Sequence, residues 1–263
     1  ETYREERPEV RVTVGLSGTG GGMKKFAAGE IDICNASRRI KPIESRALDE
    51  GDVGFVELSV ALDGIAIVVH PMNDWVDHLS VEQLASMWRP DAPANKWNDI
   101  DPAWPNEPIT LYGPGTNSGT FDYFTEAIVG EQEACRSDYV ASEDDNVLVT
   151  GVSQDKYALG YFGFAYYVEN RDKLKLLSIR NDAGEYVTPT AETIRTNDYA
   201  PLSRPLYLYV RESLLERPDG ADFVRYFLDN SARLSQQVGY VPVSDQMAAD
   251  NDARYANAIA SRE

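Results

Sequence analysis

The sequence lacks any apolar run long enough to cross a bilayer, which takes about 20 residues. Its longest apolar core is Ile65-Ala66-Ile67-Val68-Val69. It also lacks the apolar core of a signal peptide, opening instead with the polar, helix-prone Glu1-Thr2-Tyr3-Arg4-Glu5-Glu6-Arg7, so a mature or trimmed product is expected. Basic residues are scarce, 25 against 43 acidic ones, and the net charge is −18. The basic residues cluster only in pairs such as Lys24-Lys25 and Arg38-Arg39. That excludes the positive stripe a nucleic acid requires. The two cysteines, Cys34 and Cys135, have no metal-ligand spacing and are compatible with one disulfide or with two separate thiols. The two histidines, His70 and His78, sit close together in a strand-to-loop stretch, and neither Ser17 nor Ser118 lies in a G-x-S-x-G elbow. A hydrolase therefore lacks both its nucleophile setting and its base, and an enzyme is not expected.

What is present is a regular alternation of strand-like and helix-like stretches over 263 residues. Val10, Val12 and Val14 alternate as a strand after a helix stopped by Pro8. Further strands are predicted at Ile31 to Ala36, Gly54 to Val60, Gly64 to His70, Ile109 to Gly113, Ala158 to Gly163, Leu174 to Ile179 and Pro205 to Val210. Ser80-Val81-Glu82-Gln83 is a capping box that starts a helix through Leu84, Met87 and Trp88, and Arg89 to Pro108 reads as a long loop. Helices are predicted over Ser118 to Val129, Ala221 to Gln236 and Ser244 to Ala260. The fold class is α/β, with mostly parallel sheets flanked by helices.

Three segments share one design, a polar turn after a strand that opens a helix: Ser17-Gly18-Thr19-Gly20-Gly21-Gly22, Thr116-Asn117-Ser118-Gly119-Thr120 and Ser142-Glu143-Asp144-Asp145-Asn146. The first turn of a helix exposes unpaired N–H groups and the positive end of its dipole, and small residues let an anion approach. Each turn also has a plain reading as a helix cap. Nucleotide motifs fail on spacing, since Gly22-Met23-Lys24-Lys25 has no Gly-Lys-Ser/Thr ending and Met23 stands where the last glycine of G-x-G-x-x-G belongs. No cofactor and no metal site are expected. Ser37-Arg38-Arg39 follows the strand ending at Ala36, where open α/β sheets bind ligands, and a guanidinium matches oxyanions by paired hydrogen bonds.

Ser-Gly-Thr-Gly-Gly-Gly, the stretch from Gly29 to Ile40 and Gly113 to Phe121 together resemble phosphate-binding proteins of the PstS type. Ala141 to Val147 and Ala158 to Gly163 extend the resemblance over nearly the whole chain. It implies a two-lobed periplasmic-binding-protein-like fold whose lobes close on the anion. One lobe would be residues 1–62 plus 205–263 and the other 63–204. Thr19, Gly20, Ser37 and Arg38 would bind phosphate from the first lobe, and Ser118, Gly119 and Thr120 from the second. Ser17, Asn117, Asp145 and Asp63 are further candidates, the two carboxylates as acceptors for the phosphate proton. Where relatives carry an arginine before their Ser-Gly-Thr turn this chain has Pro114, so Arg38 is expected to supply the only guanidinium. Family members usually begin with a further strand and turn that also touch the anion, and this chain is expected to begin after them. The implied partners are inorganic phosphate and an inner-membrane ABC permease, for a monomer in the periplasm or otherwise outside the cytoplasm. A binding protein for another oxyanion and a phosphate scavenger or sensor remain alternatives.

Overall fold

The computed structural model describes residues 2–260. In chain order its elements are α1 (Thr2–Glu6), α2 (Thr19–Ala27), β1 (Ile33–Ala36), α3 (Pro42–Glu50), β2 (Phe55–Val69), β3 (His78–Leu79), α4 (Val81–Trp88), α5 (Trp97–Ile100) and β4 (Thr110–Pro114). There follow α6 (Gly119–Ile128), β5 (Val140–Ser142), α7 (Asp145–Gln154), β6 (Ala158–Gly163), α8 (Phe164–Glu169), β7 (Lys175–Leu176), β8 (Ser178–Arg180) and β9 (Tyr186–Val187). The last are α9 (Ala191–Arg195), β10 (Ser203–Arg211), α10 (Glu212–Leu215), α11 (Pro218–Gln237) and α12 (Asp245–Ala260). The chain divides into two compact units, Glu1–Leu62 with Pro205–Glu263, and Asp63–Arg204.

In the first unit β1 pairs antiparallel with β10, from Ile33 opposite Val210 to Ala36 opposite Tyr207. The two-residue period of β10 splits its side chains between two cores. Tyr207 and Tyr209 join Met23, Phe26 and Leu48, while Leu208 and Val210 join Val56, Leu58, Val224 and Leu228. Helix α11 covers the second core with a stripe of Gly220, Val224, Leu228, Ser231 and Ser235, spaced three or four apart. In the second unit β6 lies between β2, antiparallel, and β4, parallel, and β4 continues in parallel to β5. Ala66, Val68, Ala158 and Phe162 pack against Leu148, Val149 and Val152 of α7. Tyr161 instead stacks on Phe124 at 3.7 Å between centroids and meets the Trp88 edge at 4.9 Å.

The α/β class holds, but the sheets are mixed rather than mostly parallel. A helix between successive strands implies a parallel pair only where those strands are neighbours. Strand β2 neighbours β6 and β1 neighbours β10, and both pairs are antiparallel. The strands expected at Gly54 to Val60 and Gly64 to His70 are one strand, β2. Gly64 does not break it, because a Cβ there would stand 2.5 Å from Ile194 Cδ1 and packing demands glycine. The stretch Val10 to Val14 is not a strand. It has no ladder partner, and Val12, Val14 and Leu16 are exposed, so alternation alone does not suffice. The capping box at Ser80 is present: Ser80 Oγ accepts from Gln83 N at 3.2 Å and Gln83 Oε1 accepts from Ser80 N at 2.8 Å. Cys34 and Cys135 are free thiols. Among the described residues no helix is long and apolar enough to cross a membrane.

Candidate functional site

In the first unit α2 begins at Gly18, whose extended backbone (φ −62°, ψ 161°) leads into the helix without a side-chain cap. Its first-turn N–H groups are therefore not claimed by the N-cap residue. Thr19 faces the turn that follows β1. Its Oγ1 accepts from Ser37 N at 3.1 Å and lies 3.1 Å from Ser37 Oγ, so the two polar turns form one cluster. Gly22 permits the helix to seat on the strand, since a Cβ there would be 2.8 Å from Cys34 Sγ. Ser17 is exposed, ahead of the helix.

Arg38 stands over the same turn, its Nη2 3.8 Å from where a Cβ on Gly20 would be. Its guanidinium is held by Glu44, with both nitrogens donating at 2.8 Å, one to each carboxylate oxygen. Glu44 also accepts from Lys41 N at 2.8 Å, at the start of α3. The Arg38 hydrogen bonds hold Glu44 below the usual carboxylate range against the upward push of burial. Sequence reasoning missed this partner. The signal was Glu44 in the first turn of a helix started by Pro42, which points its carboxylate back toward the preceding turn.

In the second unit α6 begins at Ser118, whose Oγ accepts from Thr120 N at 3.2 Å. Pairing of β4 with β5 sets Pro114 opposite Ser142 and so brings the second and third polar turns together. Glu143 accepts from Asn117 N at 3.2 Å, and its carboxylate occupies the space beside Gly115, 2.1 Å from where a Cβ would be. One backbone donor of the turn is thus taken by a carboxylate of the protein itself. Asp144, not Asp145, caps α7, accepting from Asn146 N at 3.0 Å. Asp145 is half-buried, and burial, then the charge of Asp144, push its carboxyl up to about 6 while the Tyr166 hydroxyl bond opposes them.

Asp63 is buried and accepts from Arg204 Nη2 at 3.3 Å. Burial pushes its carboxyl up, and the charge and hydrogen bond of Arg204 pull it back. The same Nη2 donates to the Gly119 carbonyl at 3.3 Å, and the guanidinium carbon lies 3.8 Å from the Tyr123 ring centroid. Arg204 had no place in the sequence reading, since an arginine before Pro205 carries no motif.

Residues 1–231 match the family described as PBP superfamily domain. Protein SphX of Synechocystis sp. is 45% identical over 240 residues, which are 90% of this chain and 71% of SphX. The phosphate-binding protein PstS of Staphylococcus saprophyticus is 38% identical over 242 residues, 92% of this chain and 74% of its own. Among solved structures, one described as a possible phosphate binding protein from Planctomyces limnophilus has a TM-score of 0.90 and 40% identity, covering 98% of this chain and 92% of its own.

Proposed function

The chain belongs to the PBP superfamily and, within it, to the phosphate-binding proteins of the PstS type, and from that premise we propose that it binds inorganic phosphate and passes the ion on unchanged. The observation that carries the reading is the Thr19–Ser37 cluster at the uncapped start of α2, with the Arg38 guanidinium over Gly20. Small residues, hydroxyls and N–H groups without an N-cap side chain there match a tetrahedral oxyanion, with the Arg38 charge beside them. Thr19, Gly20, Ser37 and Arg38 serve it in the first unit, and Ser118, Gly119 and Thr120 offer the same chemistry in the second. Because Arg38 is balanced by Glu44, the ion is held chiefly by backbone and hydroxyl dipoles, which tolerate a net charge of −18 in the rest of the chain.

Binding rather than catalysis fits the histidines. His70 accepts from Met72 N at 3.0 Å and His78 packs on Tyr186 at 4.1 Å, so both are engaged in local structure. The same proposal includes a position outside the cytoplasm and delivery to an ABC permease. Calorimetric titration with phosphate, sulfate, molybdate and citrate tests the ligand, and sulfate binding as tight as phosphate binding would overturn it. Uptake into membrane vesicles tests delivery. Release of phosphate from a phosphoester would show catalysis instead.

A further inference from the structure

The two units carry the same pairing beside their anion turns. In the first, Arg38 is locked to Glu44, the side chains 20% and 17% exposed, next to Gly20 in the first turn of α2. In the second, Arg204 is paired with Asp63, 14% and 10% exposed, with Nη2 on the carbonyl of Gly119, the first residue of α6. Asp63 and Arg204 are also the first and last residues of their unit, Asp63 in the middle of β2 and Arg204 at the start of β10, so both chain crossings lie beside that turn.

Fold stability alone is a weak reason for such a pair. Taking two charges out of water costs most of what their attraction returns, and apolar side chains would join the strands as well. Arg204 also spends a planar face on Tyr123 and leaves Nε enclosed without a hydrogen bond. This investment orients the guanidinium along the flank of the helix turn that holds Ser118, Gly119 and Thr120.

We propose that Arg204 is a second anion-compensating residue, the counterpart in the second unit of Arg38, with Asp63 as the carboxylate that balances and competes for its charge while no anion is bound. The assignment rests on the phosphate reading. Arg38 is then not the sole guanidinium beside an anion turn. In the free protein Asp63 balances Arg204. When an anion arrives at the α6 turn, the guanidinium held on the Gly119 carbonyl lowers the cost of the added negative charge.

The test compares Arg204→Met, Arg204→Lys and Asp63→Asn with the unaltered chain by phosphate titration calorimetry, with melting curves to confirm folding. Arg204→Met is expected to weaken phosphate binding at least tenfold, Arg204→Lys to stay within about threefold of the unaltered chain, and Asp63→Asn to bind as tightly or tighter. If the pair merely fastens strands, Arg204→Met and Asp63→Asn lose affinity in parallel, because each breaks the same pair, and the proposal falls. Should Arg204→Met not fold, Asp63→Asn combined with Arg204→Met leaves no unpaired buried charge, and undiminished phosphate affinity in that chain overturns the proposal. An unaltered chain that binds no phosphate overturns the phosphate reading itself. Binding that persists unchanged in Arg204→Met overturns only the role of Arg204.

Discussion

Helix α2 starts at a glycine with no side chain to cap it, whereas α6 starts at Ser118, whose hydroxyl takes the Thr120 N–H. The Thr19 hydroxyl is turned outward to Ser37, while in the other unit the Asn117 N–H is already bonded to Glu143. The same ingredients, glycine, hydroxyl and helix start, are thus wired in opposite senses. The α2 turn has no N-cap side chain on its helix donors and spends its hydroxyl on joining two turns. The α6 turn has two of its backbone donors, Asn117 N and Thr120 N, already taken by protein side chains. An anion gains more from the first, where its bonds replace bonds to water, and must displace protein partners at the second.

The largest effect should come from removing the charge at the α2 turn. Arg38→Ala leaves Glu44 without its main partner, and phosphate affinity is expected to fall about ten- to a hundredfold by calorimetry, equivalent to about 1.4–2.8 kcal/mol. Unchanged affinity would remove Arg38 from the site. Next come the glycines. Gly22→Ala drives a methyl group against buried Cys34 and should cost about 1–2 kcal/mol in urea denaturation. Gly119→Ala meets nothing within 4 Å and should lie within about 1 kcal/mol of the unaltered chain, neutral or more stable.

Capping separates the two turns further. Ser118→Ala should lose about 1 kcal/mol of stability, and Gly18→Ser should gain a few tenths while weakening anion binding, because the new hydroxyl competes for a first-turn N–H. If Gly18→Ser leaves affinity intact, the open donors of α2 do not hold the ion. The smallest effects concern pH, and they carry opposite signs. Asp145 is raised to about 6 from 3.8, so its contribution to stability is present in acid and lost as pH rises through about 6. Asp145→Asn should therefore melt slightly higher than the unaltered chain at neutral pH, with the gap closing below about pH 4. Glu44 is lowered from 4.5, so its contribution is present above that value and lost as pH falls through the depressed one. Glu44→Gln should melt lower at neutral pH and converge with the unaltered chain in acid.

Much of this architecture is legible in sequence because local rules agree with the fold. The Ser80 capping box, the apolar face of α4 and the helix start at Ser118 are dictated by residues within one turn of each other. Strand pairing is not local. Nothing within Val10 to Val14 says that no ladder reaches it, and nothing in β2 names β6 as its antiparallel neighbour. The site divides along the same line. Thr19, Ser37 and Arg38 were readable from turn chemistry, and the structure clusters them. Glu143 and Arg204 were not, since their contacts span 26 and 85 positions in sequence and depend on which strands lie together.

Cys34 offers a direct view of the α2 turn. It lies sealed beneath Gly22, and burial pushes its thiol up to about 11, so at neutral pH it is both hidden and protonated. Alkylation then requires α2 to lift from β1, and the labelling rate measures how often that happens. Cys135, half-buried in the other unit, provides an internal clock in the same reaction. Slowing of Cys34 relative to Cys135 on adding phosphate would report, without any introduced probe, that the ion fastens the first helix turn to its strand.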